Sequence, residues 1–241
     1  LLNLQLLQNV EQASDIFDSL LSIAKEGEKL IGFSFEEIYN IVTELDFIFG
    51  NLDSYEKLLD YFTEHETSRY GEVRGALIWL RRGAKRLESN EPYQAIKLIG
   101  KSLAPLYKQE TKGDLYAALN ILSSAYMKAG LLWASRANLL FAASMVTDEY
   151  WKTGDFISAQ AHSYMRLAKA DLQIGRIEFA LTWWNLACIV STQIEEEVLS
   201  ENETQTFDAY LSQCILNTKF DELSSATRLP DLLDKNQLFF S

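Results

Sequence analysis

Apolar residues recur at three- and four-residue intervals along most of the chain, and each such stretch closes at a glycine, an asparagine or a polar run. Over residues 3–25 the spacing is set by Leu4, Leu7, Val10, Ile16, Phe17, Leu20, Leu21 and Ala24, and Gly27 and Gly32 interrupt it. A second stretch, Phe35 to Phe49, carries Ile38, Tyr39, Ile41, Val42 and Leu45 and stops at Gly50. A third starts at Asp53-Ser54, an expected N-cap, and carries Leu58, Leu59 and Phe62. From Gly71, the residues Leu77, Trp79, Leu80, Gly83, Ala84 and Leu87 lead into the turn Ser89-Asn90-Glu91-Pro92, and Ala95, Ile96, Ile99 and Leu103 follow it. Pro92 falls in a first turn, where its missing N–H has no helical partner to lose, whereas Pro105 is expected to end or bend its helix. These periods predict an all-α chain.

Between Asp114 and Val190 the same helical hairpin is written twice. Leu119, Leu122, Ser123, Tyr126, Gly130, Ser135, Leu139 and Ala142 are echoed 45 residues later by Tyr164, Leu167, Ala168, Asp171, Gly175, Ala180, Trp184 and Ala187. On the same frame the turn residues Gly50, Asn90, Gly130 and Gly175 are spaced by 40, 40 and 45, and Gly and Asn are the residues that most cheaply close a helix in the left-handed conformation. Seven residues before each turn stand the small Thr43, Gly83, Ser123 and Ala168; eleven before stand the large Tyr39, Trp79, Leu119 and Tyr164. Small beside large lets one helix press into the next. The extra length of the last interval is assigned to a linking segment, Asp148–Asp155.

The expected organisation is one repeat domain over 1–241: an N-terminal helix in 1–34, hairpins in 35–70, 71–112, 113–154 and 155–200, and a C-terminal hairpin and tail in 201–241. Glu195–Glu203 is acidic and weakly periodic, and so reads as a loop or a solvated helix end; Phe207–Leu216 and Phe220–Leu233 read as a fifth hairpin that decays at Pro230. The chain opens Leu-Leu-Asn-Leu-Gln, without Met or a basic leader, and is expected to be an excerpt of a larger protein.

Composition agrees with a globular helical chain: 48% hydrophobic, with three prolines and eleven glycines in 241 residues. The longest largely apolar run, around Leu139 to Val146 and interrupted by Ser144, is about eight residues, against ~20 needed to span a bilayer, so no membrane segment is expected. Cys188 and Cys214 are too few for a disulfide framework, which suggests a reducing, cytoplasmic setting. The net charge of -12 is uneven: residues 1–68 carry 14 acidic and 3 basic side chains, and residues 69–112 carry 4 and 10.

The repeated residues resemble the tetratricopeptide repeat: large Trp79, Leu119 and Tyr164, small Gly83, Ser123 and Ala168 four residues on, Gly130 and Gly175 at turns, and small Ala95, Ala142, Ala180 and Ala187 in second helices. The resemblance covers roughly residues 35–190 and departs from the family in its longer period, its missing terminal prolines, and Arg82 and Arg86, which stand where core apolar residues are expected. It implies a right-handed α-solenoid of about five antiparallel hairpins whose concave groove, lined by first helices, binds peptides or partner proteins. The family's carboxylate-clamp version is not reproduced, since Leu80 and Ala84 stand where its first Lys and Asn are expected.

Catalytic signatures are absent: His65 and His162 lie in no HExxH, and no GxxxxGK[ST] or GxGxxG occurs. No enzyme activity, cofactor or metal is therefore expected. Trp184 falls in the large core column, while Trp183 could be core or an aromatic shelf. Arg74, Arg81, Arg82 and Lys85 cluster at helical spacing away from the Leu77–Leu80–Ala84–Leu87 stripe, and first helices of neighbouring hairpins offer Asn120, Ser124, Lys128, His162, Arg166 and Lys169. The expected function is a non-enzymatic scaffold or adaptor module whose partner is a protein or an acidic peptide held at Arg81, Arg82, Lys85, Asn120, Ser124, Lys128, His162, Arg166 and Lys169; the alternative is a ligand-sensing domain of a larger signalling or defence regulator. The acidic total disfavours nucleic acid. Leu2, Leu4, Leu6 and Leu7 make the N-terminal helix an expected contact with another chain or domain.

Overall fold

The computed structural model describes residues 10–26, 35–50, 52–109, 112–194 and 199–217. Every regular element among these residues is helical: α1 (Val10–Glu26), α2 (Phe35–Glu44), α3 (Asp46–Phe49), α4 (Asp53–Tyr70), α5 (Glu72–Glu88), α6 (Pro92–Tyr107), α7 (Gly113–Lys128), α8 (Leu132–Thr153), α9 (Ser158–Ile174), α10 (Ile177–Gln193) and α11 (Glu201–Asn217). The protein is all-α. It falls into two compact units, Leu1–Asp114 and Leu115–Ser241, with the boundary in the first turn of α7. The expectations for Leu2 to Leu7, Gly27, Gly32 and Phe220–Leu233 lie outside the described residues.

In the first unit α1 and α2 pack on α4, α4 packs on α5, and α5 on α6. The large apolar residues of the sequence pattern meet here: Phe17 of α1 lies edge-on to Phe49 and Tyr55, at 5.6 and 5.2 Å between centroids, and Leu58, Leu59 and Phe62 complete the core. The Tyr55 hydroxyl, fully buried, donates to Val42 O at 2.8 Å, which ties α4 to α2. Gly83 explains how closely α5 and α6 approach, because a Cβ there would run into the Ile99 side chain.

In the second unit α9 packs on α8, α10 and α11. Leu139, Tyr164, Leu167, Ala168, Ala180, Trp184, Ala187 and Phe207 form its core, with Trp184 stacked on Phe207 at 4.2 Å and 2° between planes. Trp183 is half-buried and stacks on Tyr164 at 5.8 Å, so it is a packing residue rather than an open shelf. The small column does what its size suggests: Ser123 is fully buried and its hydroxyl shares a 2.9 Å hydrogen bond with that of Ser135, joining α7 to α8.

Three of the four turn residues, Asn90, Gly130 and Gly175, have positive φ (62°, 76° and 85°). Each closes its helix with the same pair of bonds: the Gly175 N–H donates to Leu172 O at 3.0 Å and the Arg176 N–H to Asp171 O at 2.8 Å, and the pattern recurs at Gly130 and Asn90. Gly50 lies in a turn but is not among the described residues with positive φ.

Four local expectations are corrected. The stretch from Phe35 to Phe49 is two helices, broken at Leu45. Asp53 is the first residue of α4 rather than its cap, and the Ser54 hydroxyl is engaged across the core, accepting from Ser14 Oγ at 3.0 Å. Pro105 sits inside the last turn of α6 without ending it there. The supposed linker Asp148–Asp155 is largely helix: nothing in Asp148–Thr153 breaks the pattern, so α8 runs on until Gly154 at φ 79°. After the acidic run, α11 starts with a capping box in which the Ser200 N–H donates to Glu203 Oε2 at 3.1 Å and the Glu203 N–H to Ser200 Oγ at 3.3 Å.

Candidate functional site

The sequence-predicted binding residues divide between the units. On α5, in the first unit, Arg81 and Lys85 are exposed, with Lys85 Nζ donating to Thr43 O at 2.9 Å, and Arg74 lies 3.7 Å from Glu66. Arg82 does not belong with them. Its side chain is only 4% exposed, donates to Glu56 Oε2 at 2.7 Å and to Thr63 Oγ1 at 3.2 Å, and lies 2.9 Å from Asp60 Oδ1. Arg86, 5% exposed, bonds Glu56 Oε1, Gly50 O and, at 3.0 Å, Glu91 Oε2. Both guanidiniums stand at core positions and are paired with carboxylates of α4 and the α5–α6 turn. Arg82 is therefore a packing residue of α5 against α4, not a group open to a ligand. Pairing with carboxylates is what allows an arginine to occupy an apolar column, even though the Arg82 Nε–H is buried without an acceptor among the described residues.

Asn120, Ser124 and Lys128 repeat every four residues on α7, and His162, Arg166 and Lys169 lie on one face of α9. The second unit brings three of the six into one network. Arg166 Nη1 donates to Asn120 Oδ1 at 2.9 Å, and Nη2 donates to Asn120 O at 3.1 Å and to Ser124 Oγ at 2.6 Å. His162 is exposed with Nδ1 2.9 Å from Ser158 O, Lys128 is exposed at the end of α7, and Lys169 is half-buried three residues beyond Arg166.

What distinguishes Arg166 from Arg82, Arg86 and Arg136 is the chemistry of its partners. Those three meet carboxylates, whereas all three acceptors of Arg166 are neutral, and no carboxylate lies within ion-pair distance of it among the described residues. Burial accordingly pushes its pKa below the ordinary arginine value, with nearby Tyr116 acting in the opposite sense. A guanidinium has five N–H donors; the Nε–H and one Nη1–H have no protein acceptor among the described residues. The result is a half-buried positive charge on the α7–α9 face, preorganised by neutral groups and complementary to an anion.

Tyr116 and Ser163, not expected from the sequence, extend this network. Tyr116 Oη lies 2.9 Å from Ser163 Oγ and donates to Ala159 O at 3.1 Å. The signal was present: Tyr116 is the preceding member of the four-residue series that holds Asn120, Ser124 and Lys128. A second missed feature is Asp171, fully buried, whose carboxylate meets Arg136 Nε at 2.6 Å and Arg176 Nη1 at 3.7 Å. It locks α9 to α8 and to the start of α10. Among the described residues no group of three or more His, Cys, Asp or Glu side chains could hold a metal ion, and no helix is long and apolar enough to cross a membrane.

Comparison with protein-family models, with curated proteins and with solved structures finds no match to this chain. What defines the protein is its own architecture: an all-α chain whose second unit carries a charged, hydrogen-bonded face on α7 and α9.

Proposed function

We propose that the chain is a non-enzymatic peptide- or protein-binding module, built as a tetratricopeptide-like right-handed solenoid, which recognises an acidic segment of its partner. The observation that carries this reading is Arg166: a half-buried guanidinium held by Asn120 and Ser124, without an ion-pair partner among the described residues. Burying a cation costs free energy unless an anion completes its environment, so a bound carboxylate would recover stabilisation that the free protein forgoes. Lys128 and Lys169 flank Arg166 along the same two helices and add positive charge along an extended ligand, and His162 offers a ring nitrogen on the same face of α9. The Schellman-closed hairpins and the small-against-large columns support the solenoid part of the proposal.

The test is fluorescence-anisotropy titration of labelled acidic peptides, alongside their Gln-substituted counterparts, against wild type, Arg166→Gln and Arg166→Lys. Preference for the acidic peptides should be lost in Arg166→Gln and weakened in Arg166→Lys, and should fall with salt. Equal binding of acidic and Gln-substituted peptides by wild type would refute it.

A further inference from the structure

The outer face of α6 is out of keeping with the rest of this acidic protein. From Pro92 to Gln109 there is no Asp or Glu, while Tyr93, Lys97, Gly100, Lys101, Ala104, Tyr107 and Lys108 are all exposed and recur along one side of the helix. Tyr93 and Tyr107 are 67% and 60% exposed, although aromatic rings of that size are normally sheltered. Gly100 adds an anomaly. It lies inside the helix, nothing stands within 4 Å of where its Cβ would be, and so packing within the fold does not require it. A glycine in a helix interior is unfavourable relative to alanine, and here it leaves a flat spot beside Lys97 and Lys101.

The opposite kind of surface occurs in the same unit. On α1, Asp15, Ile16, Asp18, Ser19, Ser22 and Ile23 are exposed, and on α2 Ile41 and Glu44. Ile16 and Ile23 are seven residues apart and thus share a face; they and Ile41 are 38%, 47% and 40% exposed. An acidic face centred on isoleucines complements a basic face rimmed by tyrosines, in charge and in apolar content. Because α1 packs on α4 and α6 packs on α5, the two faces belong to different layers of the unit.

We propose that the α6 face of one copy docks on the α1–α2 face of a second copy, giving head-to-tail association. Lys97 and Lys101 meet Asp15, Asp18 and Glu44, and the exposed isoleucines pack over Gly100 and Ala104 between Tyr93 and Tyr107. Such a contact is heterologous, so a dimer still has one free face of each kind and assembly extends beyond it.

Sedimentation velocity of the full chain over a hundredfold range of concentration tests this. The runs are made at about 0.1 M salt, where the screening length of ~10 Å damps repulsion between the net charges but spares contacts, and at about 1 M, where it is ~3 Å. Wild type should exceed the single-chain mass as concentration rises at the lower salt and revert at the higher. Lys97→Glu/Lys101→Glu and Asp15→Lys/Asp18→Lys should each remain single chains, and mixing the two variants should restore association, because each reversed face then finds its complement. Since Lys101 lies 3.8 Å over the Trp79 ring, thermal unfolding is compared for every variant, and Tyr93→Ser provides a charge-neutral variant that should also weaken association. A single-chain mass for wild type throughout, or no recovery in the mixture, overturns the proposal. So does wild-type binding of a labelled single-stranded oligonucleotide that Lys97→Glu/Lys101→Glu abolishes, which would give the face to a polyanion.

Discussion

At Gly83 and Gly100 the same substitution is expected to have opposite signs. Gly83→Ala drives a Cβ into Ile99, whose backbone N lies 3.2 Å from the new atom, and should destabilise by about 1–3 kcal/mol. Gly100→Ala meets nothing within 4 Å and should stabilise by about 0.5–1 kcal/mol. Urea unfolding of the two variants distinguishes them, and equal shifts would refute the packing of α5 on α6 at this point. At the turns, Gly130→Val and Gly175→Val force a branched residue to positive φ and should each cost on the order of 1–2 kcal/mol by the same measurement. Cys188 belongs to this scale as well. Burial, then the proximity of Asp208, pushes its pKa up, so the neutral thiol is the folded form. Its contribution to stability is full below the ordinary thiol pKa and is lost as pH rises through the raised folded value. Alkylation by iodoacetamide at pH 8 should be slower than for a free cysteine peptide, and a rate equal to the peptide's would contradict the burial.

Between elements, two contacts carry weight out of proportion to their size. Glu56 bridges Arg82 and Arg86, the two buried guanidiniums of α5. Glu56→Gln leaves both with weaker acceptors and should cost about 1–3 kcal/mol. Glu72→Gln, which removes the exposed pair with Lys108, should change stability by less than about 1 kcal/mol. Chemical denaturation of both variants tests whether burial decides the difference. Phe207 anchors α11 by stacking on Trp184; Phe207→Ala should cost about 3–5 kcal/mol and should raise amide hydrogen exchange in α11 before it does so in α9. Uniform acceleration across the second unit would show instead that α11 is integral to that unit's core.

At the scale of the molecule, one hydrophobic cluster of the described residues surrounds Phe17, Tyr55 and Phe62 in the first unit, and another surrounds Leu167, Trp184 and Phe207 in the second. Phe17→Ala should therefore loosen α1, α2 and α4 in hydrogen exchange while α9 and α10 keep their protection; equal loss in both sets of helices would refute the independent unfolding of these clusters. The sequence by itself determined the helices, the turn residues Asn90, Gly130 and Gly175, and the core roles of Trp184, Ser123 and Ala168, because periodicity, left-handed closure and residue size are local properties that survive in any helical packing. It also set out the series that holds Asn120, Ser124, His162 and Arg166. It did not settle where Leu45 breaks a helix or how far α8 runs past Asp148, since nearby residues tolerate both outcomes. Nor could it say which arginines face inward. Arg81, Arg82, Arg86 and Arg166 are alike as residues, and their roles depend on whether another helix brings a carboxylate to them, as α4 brings Glu56 to Arg82 and Arg86, or only neutral oxygen, as α7 brings to Arg166. That choice belongs to the tertiary structure, because the energy of a buried charge is set by its neighbours in space and not by its neighbours in sequence.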